Sequence, residues 1–208
     1  LNKVNKRDSE QTKKSILKAA LEEFAELGYQ GARVLSIANR AKVNKQMLYH
    51  YFGNKDDLFR TVLEQSYEKI RAHEANLNLK DLDPKVAIRK LVKFNFDYLA
   101  ENPEFMRLLK SENLQRAVHI EKSDKIKHIH MPLVNLIETV LKQGADSGQF
   151  RKNVDPVQFY ITVVGIAYFY LSNIHTLSAI FSRDLISKSA IDARLKHCED
   201  VVLAYLKN

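Results

Sequence analysis

The chain has 208 residues, 45% of them hydrophobic and 28% charged, which is enough to bury a core and does not fit a disordered chain. Six Gly and four Pro are too few for a turn-rich all-β domain, and a single cysteine excludes an intrachain disulfide framework. The net charge of +8 favours an anionic partner, nucleic acid or an acidic membrane surface, or serves as a solvated surface.

The positive charge is concentrated near the start. Lys3, Lys6, Arg7, Lys13, Lys14 and Lys18 face only Asp8 and Glu10 across residues 1–20. No signal peptide is evident, and one cysteine suits a reducing compartment, so a cytoplasmic protein is expected.

The first helix is predicted from Asp8 or Ser9. Ile16, Leu17, Ala20, Leu21, Phe24 and Leu27 form one apolar stripe at helical spacing, and Gly28 closes it. A short helix, Leu35 to Ala41, follows. After Lys42-Val43-Asn44 comes a second short helix, Lys45 to Phe52, with Asn44 as its N-cap. Asn54 caps the next, Lys55 to about His73, and Leu77 to Asp83 reads as a loop.

Asp83-Pro84, Asn102-Pro103 and Asp155-Pro156 each open a further helix, with Pro in the first turn. Pro132 kinks or starts the helix that ends near Gly148, and a last helix spans about Ser187 to Leu206. The sum is nine helices and no strand, an all-α fold. The stretch Val157 to Leu171 is uncharged but shorter than the ~20 residues of a membrane span, so it is expected to be buried on two sides and no membrane partner is expected.

Short helix, tight turn, short helix is the arrangement that places its second helix in a DNA major groove. On the Lys45–Phe52 helix, Leu48, Tyr51 and Phe52 point to one face, and Lys45, Gln46, Tyr49 and His50 to the other. Lys donates to guanine or phosphate, and Gln pairs with adenine. Tyr and His donate to phosphate oxygens, and Met47 can meet a thymine methyl. Lys55 falls at a helix start, where free N–H groups favour a phosphate.

Thr12 through Leu63 resembles the tetracycline-repressor (TetR) family of bacterial regulators. The resemblance rests on Ile16-Leu17 with Ala19-Ala20, on Phe24 with Glu26-Leu27-Gly28-Tyr29, and on Ile37-Ala38, Ala41 and Val43. It continues through Leu48-Tyr49, Tyr51-Phe52, Lys55 and Leu58-Phe59. It implies that Lys45, Gln46, Tyr49, His50 and Lys55 stand where members of that family contact DNA. Two positions depart from the pattern. Ala32-Arg33 replaces the usual hydroxyl residue that caps the second helix and touches phosphate; Arg33 can supply the phosphate contact but not the cap. Lys42 occupies a turn position often held by Gly, which implies backbone strain there.

These readings divide the chain into a helix-turn-helix domain, 1–54, and a larger helical ligand-binding and dimerisation domain, 55–208. The expected function is a repressor released from a palindromic operator by a small-molecule effector. Homodimerisation is expected through the long apolar helix and the last helix, with Ile191, Leu195, Cys198, Val202 and Tyr205 as the stripe and Gly165 and Ala167 allowing close approach. Two recognition helices one DNA turn apart would then read a palindrome.

Effector candidates are Tyr67, Phe94, Tyr98, Phe105, Asn113, His128, Phe159, Tyr168 and Asn173, a mix that leans toward a small neutral or aromatic molecule. His128 and His130 are two residues apart on a helix and point in different directions, so no metal site is expected. No cofactor and no enzymatic activity are expected, since neither a phosphate loop nor a nucleophile motif is present.

Overall fold

The computed structural model describes the backbone of residues 2–207 and the side chains of residues 8–207; Lys3, Lys6 and Arg7 of the basic N-terminal cluster lie outside the described side chains. Among the described residues there are eleven α-helices, a single 3-10 turn and no strand. The helices are α1 (Asn2–Gly31), α2 (Val34–Arg40), α3 (Lys45–Phe52), α4 (Lys55–Ala75), α5 (Pro84–Glu101) and α6 (Pro103–Leu114), followed by α7 (Val118–Glu121), α8 (Asp124–Asp146), α9 (Pro156–Ser172), α10 (Ile174–Phe181) and α11 (Lys188–Leu206). The 3-10 turn, Leu79–Asp81, interrupts the expected loop between α4 and α5.

Two helices exceed the nine expected. Helix α7 has four residues, too few to show a period, and follows Arg116 and Ala117, both with positive φ. Helix α10 continues the apolar run of α9 after a bend of 67°, so composition alone does not separate them. The break falls at Asn173, whose amide donates to the Phe169 carbonyl at the end of α9. Among the described residues no single helix is long and apolar enough to cross a membrane; the bent pair α9 and α10 reaches that length and apolarity together.

The capping residues act as their chemistry dictates. Asn44 accepts from the Met47 N–H, and Asn54 from the Asp57 N–H. Asp83 and Asp155 each accept from two N–H groups of the turn they open. Asn102 works backwards instead, its amide donating to the Tyr98 carbonyl of the preceding helix. Gly28, with φ of 68°, interrupts α1, after which the chain makes one more turn to Gly31.

The chain forms two compact units. One comprises the chain up to Lys69 together with Pro103–Lys127; the other comprises Ile70–Asn102 and the chain from His128 onward. These units are divided by packing and do not coincide with a boundary at 54/55; α4 and α8 each contribute to both units.

The core of the first unit gathers Ile16, Ala20 and Phe24 of α1, Ile37 and Ala38 of α2, Leu48 of α3, Leu58, Phe59 and Leu63 of α4, and Leu108 of α6. Leu27, expected on this stripe, is more than half exposed. In the second unit α5, α9 and α11 pack together, burying Ile88, Leu91 and Phe96, Phe159, Val163 and Ala167, and Cys198, Val202 and Leu206. Arg89 pairs with Glu199 at 2.9 Å to tie α5 to α11.

Candidate nucleic-acid interface and effector cavity

The outward face of α3 is built by its inward one. Leu48 is fully buried, and Tyr51 and Phe52 pack half-buried against the first unit's core. That leaves Lys45, Gln46, Met47, Tyr49 and His50 exposed side by side. The Lys45 ammonium stands 5.4 Å over the Tyr49 ring, and His50 lies edge-on to Tyr51 at 5.4 Å.

Lys55 at the first turn of α4 sits 4.7 Å over the Tyr29 ring. Partial burial lowers its pKa, with the adjacent Asp56 carboxylate pulling the other way. Tyr29 in turn donates its hydroxyl to Asp56. Burial, and then that bond, push the Tyr29 phenol up to about 12, so it stays a neutral donor. In the sequence Tyr29 stands out only as a motif residue; its contact with Lys55 crosses from α1 to α4 and leaves no local trace.

Arg33 is exposed at the N-cap of α2 and makes no side-chain cap. The cap comes from elsewhere. Glu23 of α1, 1% exposed, accepts from the Arg33 N–H at 3.3 Å and from the Ser36 hydroxyl at 2.8 Å. Arg40 Nε lies 3.2 Å from the same carboxylate. The missing hydroxyl is thus replaced by a buried carboxylate from another helix. Lys42 has φ of 57°, the left-handed conformation the turn demands.

The nine effector candidates are divided between the two units. Tyr67 and Phe105 stack edge-on at 5.5 Å within the first unit, where Asn113 is exposed and donates back to the Leu109 carbonyl. In the second unit Phe94 and Tyr98 lie 5.8 Å apart on α5, while Phe159 is core and Tyr168 half-buried. His128 is exposed, and Asn173 is engaged at the α9 break. His130 packs against the Tyr160 ring at 5.3 Å, and among the described residues no group of three His, Cys, Asp or Glu could hold a metal.

None of the nine lines the cavity that Arg71 and Glu74 border in the second unit. This cavity, about 390 Å³, lies between the end of α4, the 3-10 turn and α8. Its apolar lining is Leu79, Ile129, Pro132, Leu133 and Leu136, and its polar lining is Arg71, Glu74, Asn78 and Lys80. Arg71 and Glu74 are both at least nine-tenths buried, with 2.9 Å between Arg71 Nη1 and Glu74 Oε2. That approach lacks hydrogen-bond alignment: Arg71 Nε and Nη1 and both Glu74 oxygens have no hydrogen-bond partner among the described residues. Arg71 Nη2 donates to the Tyr160 hydroxyl at 3.4 Å. Burial pushes the Glu74 carboxyl up to about 7 against the pull of Arg71. Burial, then the Arg71 charge, push His130 down to about 4. In sequence, Arg71 and Glu74 read as an ordinary i,i+3 surface pair on a helix; only their burial distinguishes them.

The stripe expected on the final helix divides: Ile191, Leu195 and Tyr205 keep exposed surface. Cys198 and Val202 are buried within the unit, as is Ala167 of α9, so they are not available to a second chain. The outward positions of α9 are instead Val157, Ile161, Gly165 and Phe169, and those of α11 include Val201 and Tyr205. A Cβ added at Gly165 would meet nothing within 4 Å.

Residues 16–62 match the bacterial regulatory proteins of the tetR family, and residues 84–202 match a tetracyclin repressor-like C-terminal domain. The chain is 36% identical over 204 residues to the HTH-type transcriptional repressor NicS of Pseudomonas putida, covering 98% of this chain and 96% of that one. It is 40% identical over 109 residues to the HTH-type transcriptional repressor SCO4008 of Streptomyces coelicolor, about half of each chain (52% and 53%). The fold is shared with the putative regulator SCO4942 of Streptomyces coelicolor, at a TM-score of 0.71 and 24% identity over 94% of this chain and 98% of that one. It is also shared with FadR of Bacillus subtilis, solved in complex with stearoyl-CoA, at 0.69 and 20% over 92% and 98%. With both of its parts matched and a full-length relative at that identity, the chain is a member of the tetracycline-repressor family, a DNA-binding transcriptional regulator.

Proposed function

We propose that this regulator is a cytoplasmic repressor that binds a palindromic operator as a homodimer and is released by a small-molecule effector. The observation that carries the reading is the split character of α3: Leu48 is fully buried while Lys45, Gln46, Met47, Tyr49 and His50 are all exposed. Gln46 and Met47 are assigned to base edges, and Lys45, Tyr49 and His50 to bases and phosphates. Arg33 and Lys55 are assigned to phosphates on either side. The relatives NicS and SCO4008 are named as repressors, which supports that direction of control here.

Dimerisation is assigned to α9 and α11. Val157, Ile161 and Phe169 recur at multiples of four positions on one α9 face and are about half exposed in the single chain. Apolar area in that arrangement calls for a partner, and a second copy supplies the same face by two-fold symmetry.

The effector is assigned to the unit that begins at Ile70, within the 55–208 functional part. Helix α4 carries Lys55 at its start and the cavity residues Arg71 and Glu74 near its end. A ligand that prefers one placement of α4 therefore changes the fraction of dimers whose recognition helices fit the operator. The coupling equals the ligand's difference in affinity between the two states. FadR, with stearoyl-CoA bound, is a precedent for a small molecule held by this fold.

Selecting bound sites from random duplex DNA with the full chain tests the reading. A two-fold symmetric motif, with transcription blocked when it overlaps a promoter, supports it. An asymmetric or absent motif contradicts it.

A further inference from the structure

Glu112 of α6 and His119 of α7 are both buried in the first unit, where the neighbours of the His119 ring are aromatic. A buried carboxylate persists where donors surround it. Glu112 Oε1 accepts from the His119 and Ile120 N–H groups at 2.8 and 2.9 Å, so it caps α7 from near the end of α6. Its other oxygen, Oε2, is hydrogen-bonded to His119 Nδ1 at 2.7 Å. Between the two residues Arg116 and Ala117 both take left-handed backbone, which folds His119 back onto Glu112. That conformation is unfavourable for residues with a Cβ, so the bonds at Glu112 hold the turn in place.

The clamped imidazole reaches the DNA-facing lysine through one ring. It lies 4.7 Å from the Tyr29 ring and 4.9 Å from the Phe59 ring. Tyr29 is the ring over which the Lys55 ammonium stands, at 4.7 Å. The Tyr29 N–H donates to the Ser111 hydroxyl at 2.7 Å, beside Glu112 on α6, and its phenol donates to Asp56, beside Lys55 on α4. A continuous set of contacts therefore runs from a buried carboxylate through two rings to an ammonium in the first turn of α4. A lysine on a flexible stem loses side-chain freedom when it binds a phosphate. A fixed aromatic face under the ammonium takes part of that loss beforehand. Leucine at position 119 would fill similar space but would have no hydrogen bond to set its orientation. The buried Glu112–His119 pair sets one orientation, at the cost of desolvating two polar groups.

We propose that His119, clamped by Glu112, is a positioning residue for operator binding: it holds the Tyr29 ring on which Lys55 rests and so sets the phosphate contact that Lys55 makes. This rests on the assignment of Lys55 to a phosphate and adds two residues that act on DNA only through it.

The test is a double-mutant cycle on the full-length protein, read by fluorescence anisotropy of a labelled duplex carrying a site selected by the parent. His119→Leu in the parent should weaken binding by about threefold to tenfold and lower the salt slope. In the Lys55→Ala background the same replacement should change affinity by less than about twofold, because the contact through which it acts is already gone. A merely structural role would weaken binding alike in both backgrounds, and that result overturns the proposal. If Lys55→Ala itself leaves affinity and salt slope unchanged, the phosphate assignment falls and the proposal with it, so the two failures are told apart.

A second measurement uses no DNA. In protein labelled with carbon-13 at lysine, the Lys55 ε-CH2 protons should resonate upfield of those of exposed lysines, the signal being identified by its absence from Lys55→Ala. His119→Leu and Glu112→Ala should each move it back toward the exposed position. Glu112→Gln, whose amide oxygen still accepts from α7 and whose amide N–H donates to the neutral imidazole, should retain it. If His119→Leu does not fold, His119→Asn, which keeps a donor for Glu112 but has no ring, replaces it in both measurements. An unmoved Lys55 signal in a folded His119 variant overturns the proposal.

Discussion

The Glu23 carboxylate on α1 accepts the Ser36 hydroxyl of α2 at 2.8 Å, and the same carboxylate takes the Arg33 N–H that opens α2. An N-cap side chain normally does this work from within its own helix. Here it comes from another helix upstream, with Arg40 Nε closing the cluster from the other end of α2. Removing the carboxylate leaves a part-buried N–H and hydroxyl without this acceptor. Glu23→Ala should therefore destabilise the protein by about 2–4 kcal/mol, with Glu23→Gln costing less. Urea unfolding followed by circular dichroism measures both. A cost under about 0.5 kcal/mol for Glu23→Ala would remove the carboxylate from this role.

The turn between α2 and α3 holds Lys42 at φ of 57°. For a residue with a Cβ that conformation costs roughly 1 kcal/mol, a gain on replacement that is partly offset in Gly by its freer unfolded chain. Lys42→Gly should stabilise by about 0.5 kcal/mol, whereas Lys42→Ala should not. Both remove the same charge, so their DNA affinities should fall together. Thermal unfolding and DNA titration of the two variants separate strain from charge.

Glu74 titrates at about 7 in the folded chain against an ordinary value of 4.5, because burial disfavours its charge. Between those two values the folded state holds the proton more tightly than the unfolded state. The resulting stability is full below about 4.5 and is lost as pH rises through about 7. Nearby His130 acts oppositely: with its folded value near 4, its contribution grows from about pH 4 to 6.5. The charged group beside both is Arg71, and Tyr160, whose phenol is raised by burial, stays neutral. Glu74→Gln removes only the first effect. The variant should gain about 2–4 kcal/mol on the parent between roughly pH 4.5 and 8, as read by urea unfolding across pH. A difference that is flat with pH would mean that Glu74 is ionised throughout.

Ile161 is 54% exposed on α9, on the face assigned to the dimer. In a single chain its replacement by Asp would change stability little. In a two-fold interface it places two carboxylates in apolar surroundings. Ile161→Asp should shift sedimentation from dimer to monomer at micromolar concentration and weaken operator binding with it. A variant that stays dimeric places the interface on another face.

What is legible in the sequence is local. Asn44, Asn54, Asp83 and Asp155 cap the helices they precede because capping depends on residues two or three positions apart. The inward Leu48 and outward Gln46 of α3 follow from helical period alone. What escapes is set by distant partners. Glu23 looks like a surface residue of an amphipathic helix, and Arg71 with Glu74 like a solvated pair; burial of each is decided by other helices. Cys198 and Val202 belong to an apolar stripe in the sequence as in the structure, but whether that stripe faces its own chain or a second copy depends on where α5 and α9 pack. Aromatic residues such as Tyr67 and Phe159 are ligand candidates on type alone; that Tyr67 packs against the first unit's core and that Phe159 is buried is decided by their neighbours.

If the exposed face of α3 reads base sequence while Lys55 holds phosphate, the two residues must fail in different ways. The direct test is to measure DNA affinity of the parent, Gln46→Ala and Lys55→Ala across a selected operator and its single-base-pair mismatches, at two salt concentrations. Gln46→Ala should lose about 1–3 kcal/mol of discrimination at one base pair per half-site and little at the others. Lys55→Ala should weaken binding to all the duplexes alike and lower the salt slope by about one for each phosphate it no longer neutralises. If Gln46→Ala leaves every mismatch penalty unchanged, α3 is not the recognition helix.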